Sequence, residues 1–465
     1  MQPRTSTLLV VLAVVVGGCT VGPDYKRPVV NVPDAYRALP ADQADSTDLA
    51  SFGDQKWWEA FQDETLQLLI RTALEQNYDV RIAAVRILQA GAQLGITRAD
   101  QFPTVTAGAT ALNERIPRTL AQPAVNTSVS QVSLSVGWEL DFWGKFRRAT
   151  ESARANLLAN EWARQAVISA LVSDVASAYF QLRELDLELE VSRQTLASRR
   201  DSLRLTQVLA DAGATALLDV RQAEQLVFGA AASIPVLEER IEEQENFIST
   251  LLGNNPQPVP RGRSLTEQPH APEVPAGLPS ALLERRPDIR QTEQQLVAVN
   301  ATIGVAKADY FPQISLTGIG GFQSSALTSL FSGPAGLWTL GAHAAQPVFQ
   351  AGRLRNRVKF AEAQQQEAAL VYQRTVQQAF REVSDALVAH RKSQESRLQQ
   401  EQLARAAEDA TRLSNMRYKG GATSYLEVLD SDTRRFVAQL NLAQARLNEL
   451  QSMVRIYRAL GGGWQ

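Results

Sequence analysis

Three stretches of this chain are written twice, in the same order and at nearly the same spacing. Gln101-Phe102-Pro103-Thr104-Val105 is echoed by Tyr310-Phe311-Pro312-Gln313-Ile314, and Trp143-Gly144-Lys145-Phe146-Arg147 by Ala351-Gly352-Arg353-Leu354-Arg355. Gly213-Ala214-Thr215 with Asp219-Val220 returns as Gly421-Ala422-Thr423 with Glu427-Val428. The paired first residues lie 209, 208 and 208 positions apart. A chain built this way folds as two copies of one layout, which removes most single-domain architectures from consideration.

Between the echoes the pattern has a period of two. Thr104, Thr106, Gly108 and Thr110 alternate with Val105, Ala107, Ala109 and Ala111, and Ser133, Ser135, Gly137 and Glu139 with Val132, Leu134, Val136, Trp138 and Leu140. In the second copy Gln313, Ser315 and Thr317 oppose Ile314 and Leu316, while Thr339, Gly341 and His343 oppose Trp338, Leu340, Ala342 and Ala344. Such alternation predicts strands with one apolar face, each about ten residues long, which suits a tilted membrane-spanning strand. Each copy supplies one hairpin, with its tip in the polar stretch 116–128 or 323–336.

The rest reads as helix. Leu171, Val175, Ala178, Leu182, Leu185 and Leu189 recur at steps of four and three, as do Val376, Phe380, Val383 and Leu387. The run after Gly144 continues to about 210 without proline, and the run after Gly352 to about 416. About 64 helical residues reach about 95 Å, far beyond a globular helix. Shorter helices are expected over about 63–99, 216–251, 280–309 and 423–460.

The start of the chain reads as an export signal: Arg4, then the apolar run Leu8 to Val16, then Gly17-Gly18-Cys19. Small residues ahead of the only cysteine resemble a bacterial lipoprotein signal, with Cys19 lipidated and Thr20 after it favouring the outer membrane. No later apolar run reaches 18 residues, so a membrane crossing has to be made by strands. The formal net charge of -2 suggests no nucleic-acid partner. One cysteine and three scattered histidines (His270, His343, His390) offer neither a disulfide framework nor metal-ligand spacing, and no nucleophile elbow is present. The expectation is therefore no enzyme, and no cofactor other than a covalent lipid on Cys19.

Four strands cannot close a barrel, and lipid does not tolerate an open sheet edge. Two copies would give eight strands, whose interior is filled by side chains. Three give twelve and leave a pore, so a homotrimer is the smallest channel-forming assembly.

Several further motifs lie on this duplicated layout: Val21-Gly22-Pro23-Asp24-Tyr25, Trp57-Trp58-Glu59-Ala60-Phe61, Trp138-Glu139-Leu140-Asp141-Phe142-Trp143-Gly144, Arg285-Arg286-Pro287-Asp288-Ile289, and Arg417-Tyr418 with Gly421. Together with the Cys19 signal they resemble the TolC/OprM family of outer-membrane efflux factors, in its NodT-type lipoprotein branch. The resemblance implies a mixed, mainly α fold: a long α-helical barrel, with four strands per protomer completing a 12-stranded trimeric β-barrel. It also implies an exit duct of a tripartite efflux pump, working with a periplasmic adaptor (membrane fusion protein) and an inner-membrane pump of the proton-driven RND type. A secretion or metal-efflux duct, or a non-spanning periplasmic scaffold, stands as the alternative.

On that frame the chain divides into a signal (1–18), an N-terminal extended segment (19–62), a first repeat (63–253, hairpin about 101–141), a Pro-rich linker (254–279), a second repeat (280–460, hairpin about 310–350) and a tail (461–465). Glu427 and Asp430 align with the acidic rings of the periplasmic aperture, and Tyr418 with a tyrosine that holds it shut. Thr423 stands where that family's closing arginine is found. Gly213 and Gly421 are expected as helix-tip turns that meet the adaptor. Trp138, Phe142, Trp143 and Phe146 form either an aromatic girdle or barrel-to-helix packing. Arg285-Arg286 reads as a helix-start or packing feature rather than a binding patch.

Overall fold

The computed structural model describes residues 20–34, 36, 51–118, 123–269 and 279–464. Cys19, the signal segment and His270 lie outside the described residues. Seven main helices and four strands follow in order: α1 Glu64–Gln76, α2 Tyr78–Ala99, β1 Thr104–Ile116, β2 Val125–Leu140, α3 Lys145–Asp211, α4 Leu217–Leu251, α5 Pro287–Ala308, β3 Gln313–Ser324, β4 Gly336–Ala345, α6 Arg353–Lys419 and α7 Tyr425–Ala459. The echoed elements match in length: α3 and α6 have 67 residues each, α4 and α7 have 35, and α2 and α5 have 22. Among the described residues, no helix is long and apolar enough to cross a membrane.

The chain forms two compact units, and each draws on both copies. The first holds residues 20–29, 85–161 and 291–373 of the described chain. Its centre is an antiparallel sheet of order β1-β2-β3-β4, in which pairing of β2 with β3 joins the two hairpins. The register gathers the apolar alternates of all four strands on one face. Val105 faces Val136, Val136 faces Gly318 and Gly318 faces Leu340; Trp138 faces Leu316, and Gly320 faces Trp338. Gly318 leaves room for Leu340, whose Cδ2 would lie 3.2 Å from a Cβ there. That face is uncovered, with Leu134 57%, Leu340 77% and Trp338 78% exposed. Ser, Thr, Gln and His343 predominate on the opposite face, with Ile319 and Leu337 among them. β2 begins at Val125, within the stretch expected as loop. Asn126, Thr127 and Ser128 pair there with Arg115, Glu114 and Asn113, where cross-strand hydrogen bonds outweigh the low strand propensity of Asn126.

An extended strap, residues 20–28, lies along α3 and α5 in this unit. The Val21 N–H donates to the Trp143 carbonyl at 3.0 Å, Asn300 donates to Pro23 at 3.0 Å, and Arg148 pairs with Asp24 at 2.7 Å. Arg27 grips Glu293 with two bonds, at 2.6 and 2.7 Å. Gly22 sits at φ +111°, and a Cβ there would lie 2.5 Å from the Cα of Gly304.

The second unit holds the described residues of 30–84, 162–290 and 374–464. Its core packs Phe52 and Phe61 against Tyr457, and Phe61 against Phe180, at centroid distances of 5.4, 5.6 and 6.4 Å. Asp63 is the N-cap of α1, accepting from Thr65 and Leu66, and it also accepts from Tyr179, Gln268 and the Arg263 N–H. Arg261 pairs with Asp186 and Glu245. The described part of the stretch expected as linker, 254–269, is therefore pinned onto α1, α3 and α4. Asn77 separates α1 from α2 within the single helix expected over 63–99, capping α2 through Asp79 and Val80 while donating to Leu251.

Glu184, on α3, is fully buried, and its Oε1 has no hydrogen-bond partner among the described residues. Burial, helped by hydrogen bonding to and the charge of Glu188 and opposed by Arg240, pushes its pKa up to about 8. An acid whose folded pKa lies above its unfolded value binds its proton more tightly in the folded state. The contribution of Glu184 to stability is thus fully present below about 4.5, falls as pH rises to about 8 and then levels off. Glu184→Gln is expected to flatten that slope in thermal melts between pH 5 and 8. An unchanged slope would show that Glu184 does not titrate in this range.

Candidate functional site at the helix tips

The two tips of the second unit are built alike because each has to stop a 67-residue helix and start a 35-residue one. At the end of α3, the Gly213 N–H donates to Ala210 and the Ala214 N–H to Leu209. At the end of α6, Gly421 donates to Tyr418 and Ala422 to Arg417. Both are Schellman caps, which need a left-handed residue, and Gly213 and Gly421 stand at φ +73° and +69°. A Cβ at either would meet no atom within 4 Å, so backbone conformation alone demands glycine there.

Past each turn a threonine hydroxyl binds the acid four residues on. Thr215 donates to Asp219, and Thr423 to Glu427. Ala223, Tyr425 and Val428 are buried together, with Leu203, Tyr418 and Leu429 around them, so the second tip rests on the first. Tyr418 meets Tyr425 edge-on at 5.3 Å. Its hydroxyl is buried and has no hydrogen-bond partner among the described residues. Burial, with help from the charge of Asp432, pushes the Tyr425 phenol up to about 12 and keeps it neutral.

Glu427 and Asp430 lie three residues apart on one helix face, and each has an arginine from its own chain. Arg417 is 3.4 Å from Glu427, and Arg434 is 2.9 Å from Asp430. The acidic face is thus partly compensated before any second copy is considered. The i,i+4 spacing of Asp430 and Arg434 carried that signal in the sequence; Arg417 reaches Glu427 only across the turn.

Deeper in, Arg199 and Asp432 form an ion pair of 2.7 Å, 7% and 10% exposed. Arg199 also donates to the Leu226 carbonyl at 3.0 Å and lies 5.2 Å over the Phe436 ring, and Arg435 binds the second oxygen of Asp432 at 2.9 Å. This network ties α3, α4 and α7 together above the tips. Neither residue stood out in the sequence, since nothing local joins positions 199 and 432. Arg286, fully engaged with Asp288, Glu382 and the Ala459 carbonyl, is a packing residue of the same unit.

In the first unit the aromatic alternatives divide by residue. Trp143 stacks on Phe311 at 4.7 Å and donates to the Pro312 carbonyl at 2.8 Å, so it joins two echoed motifs as packing. Trp138 stands on the uncovered apolar face and donates to the Gln101 carbonyl at 3.0 Å. Among the described residues, no group of His, Cys, Asp and Glu has the arrangement of a metal site.

The chain is similar over nearly its full length to known proteins. It is 37% identical over 461 residues to the probable efflux pump outer membrane protein TtgC of Pseudomonas putida, covering 98% of this chain and 95% of that one. It is 31% identical to the cation efflux system protein CusC of Escherichia coli, covering 98% of each. The structure overlays the open state of the Neisseria gonorrhoeae MtrE outer membrane channel with a TM-score of 0.88 at 30% identity, covering 96% of this chain and 99% of that one. A single family model, described as outer membrane efflux protein, matches twice, over residues 69–254 and 278–462. With its duplicated layout, four-stranded sheet and paired helix tips, the chain belongs to the outer membrane efflux protein family.

Proposed function

We propose that three copies of this chain form the outer-membrane exit duct of a tripartite efflux pump. The observation that carries this reading is the sheet. Its apolar alternates share one uncovered face, and among the described residues its outer strands, β1 and β4, each have one unpaired edge. Joining β4 of one copy to β1 of the next closes twelve strands, with Ser, Thr and Gln lining the pore. In the first unit, Val85, Leu88 and Ile96 of α2 are 51%, 72% and 63% exposed, which supplies an apolar edge for the neighbouring copy.

In this reading the Gly213 and Gly421 tips face the periplasmic adaptor, and an RND-type inner-membrane pump drives the cargo. Lipid on Cys19 holds the strap at the outer membrane. Glu427 and Asp430, repeated threefold, line the aperture, and their arginines moderate its preference for cations. Planar-bilayer recording tests the duct and the aperture together. The protein is expected to form conducting channels, and Glu427→Ala with Asp430→Ala to lower their cation preference. Absence of channels would contradict the duct, whereas channels of unchanged ion preference would contradict only the aperture assignment.

A further inference from the structure

The polar face of the sheet continues into a cavity of about 1200 Å³ inside the first unit, bounded by α2, α5 and the first turns of α3 and α6. Gln313 and Ala345, paired on the polar face of β3 and β4, form part of its wall. The strap lies on the other side of α5, where Asn300 and Gly304 meet it, while Val305 and Asp309 face the cavity. The cavity therefore opens on the side that the sheet turns toward the pore.

Its charge is unbalanced. The lining carries three cations, Lys145, Arg353 and Arg357, against the single carboxylate of Asp309. Asp309 serves two of them: Lys145 at 3.2 Å and Arg357 by a direct ion pair. Among the described residues, the Arg353 guanidinium donates to the Gln350 side-chain oxygen, at 3.0 Å, and meets no carboxylate. The next acid, Glu139, stands 4.0 Å from Lys145 and leaves the group positive. Between the charges lie carboxamides (Gln93, Gln346, Gln364) and an apolar floor of Val305, Leu354 and Phe360.

Guanidinium groups offer paired donors to a planar or tetrahedral anion, and the floor accepts an apolar body. We infer that this cavity is a transit station for amphiphilic anions, compounds with a carboxylate or sulfonate on an apolar ring or chain. The inference rests on the duct reading. Arg357 is 54% exposed and Phe360 64%, so binding here is weak and reversible, as conduction requires.

The test records single channels of the full-length protein in phosphatidylcholine bilayers, with naphthalene-2-sulfonate added to both sides and benzyltrimethylammonium as the cationic counterpart. The sulfonate is expected to reduce the current at lower concentration than the cation. Arg353→Gln and Phe360→Ala, both at exposed positions, should each weaken its block roughly fivefold. Arg353→Lys, which keeps the charge without the paired donors, should keep only part of it. Equal block of wild type and variants, or stronger block by the cation, overturns the inference while leaving the duct intact. Failure to conduct at all removes the duct reading and this inference with it.

Discussion

Replacing Asp432 with alanine is expected to lower the stability of the helix-tip unit by roughly 3–5 kcal/mol, because it leaves the Arg199 guanidinium buried without its counter-ion. Arg199→Ala should cost less, about 2–3 kcal/mol, since Arg435 still binds the remaining carboxylate. Replacing both residues together, with Arg199→Met and Asp432→Leu, should recover most of the loss: an apolar pair of similar size needs no desolvation to be repaid. Exposed pairs in the same unit, Arg412 with Asp409 on α6 and Arg204 with Asp201 on α3, set the contrast, and breaking either should change stability by less than about 0.5 kcal/mol. Thermal unfolding followed by helical circular dichroism, with hydrogen exchange over residues 196–203 and 425–436, reads the difference. A Asp432→Ala protein as stable as the exposed-pair variants would show that the network is incidental.

The second large effect belongs to the strap. A side chain at Gly22 has two costs: a left-handed φ of +111°, and a Cβ 2.5 Å from the Cα of Gly304. Backbone on both sides leaves no flexible atom to yield. From Gly304 the same contact is equally tight, with a Cβ 2.6 Å from the Val21 carbonyl and 2.8 Å from Cγ of Arg148. Gly22→Val or Gly304→Val is expected to favour release of residues 20–28 by about 2–4 kcal/mol. Trypsin cleavage after Lys26, the bond after Arg27 being protected by Pro28, should then accelerate by about two orders of magnitude, with the rest of the chain unchanged. Cleavage at the wild-type rate would mean that the Arg148–Asp24 and Arg27–Glu293 pairs hold the strap without the glycine contact.

Much of this architecture was legible because it is periodic or repeated. The strands follow from alternation, the long helices from heptad spacing without proline, and the tips from the Gly-Ala-Thr echo. What the sequence hid is contact between distant residues. Nothing in 254–269 announces that Asp63 and Tyr179 bind it down, so proline content made it a linker. Asn77 reads as one more polar residue in a helical run, until its side chain is seen capping α2 and reaching Leu251. The polar start of β2 looks like loop because its strand character comes from β1 alongside it. At the tips, position and residue type were readable for Glu427, Asp430 and Tyr418, yet their partners were not. Arg417 meets Glu427 only once the turn is made, and Tyr418 turns its ring into the tip rather than out of it.

The central claim is that this sheet closes only with copies of itself. Native mass spectrometry of the protein extracted from outer membranes tests it directly. A detergent-requiring species of three chains, each beginning at an acylated Cys19, is the predicted result. A monomer or dimer that stays soluble once detergent and lipid are removed would contradict it, because the uncovered apolar face of the sheet would then have no bilayer to meet.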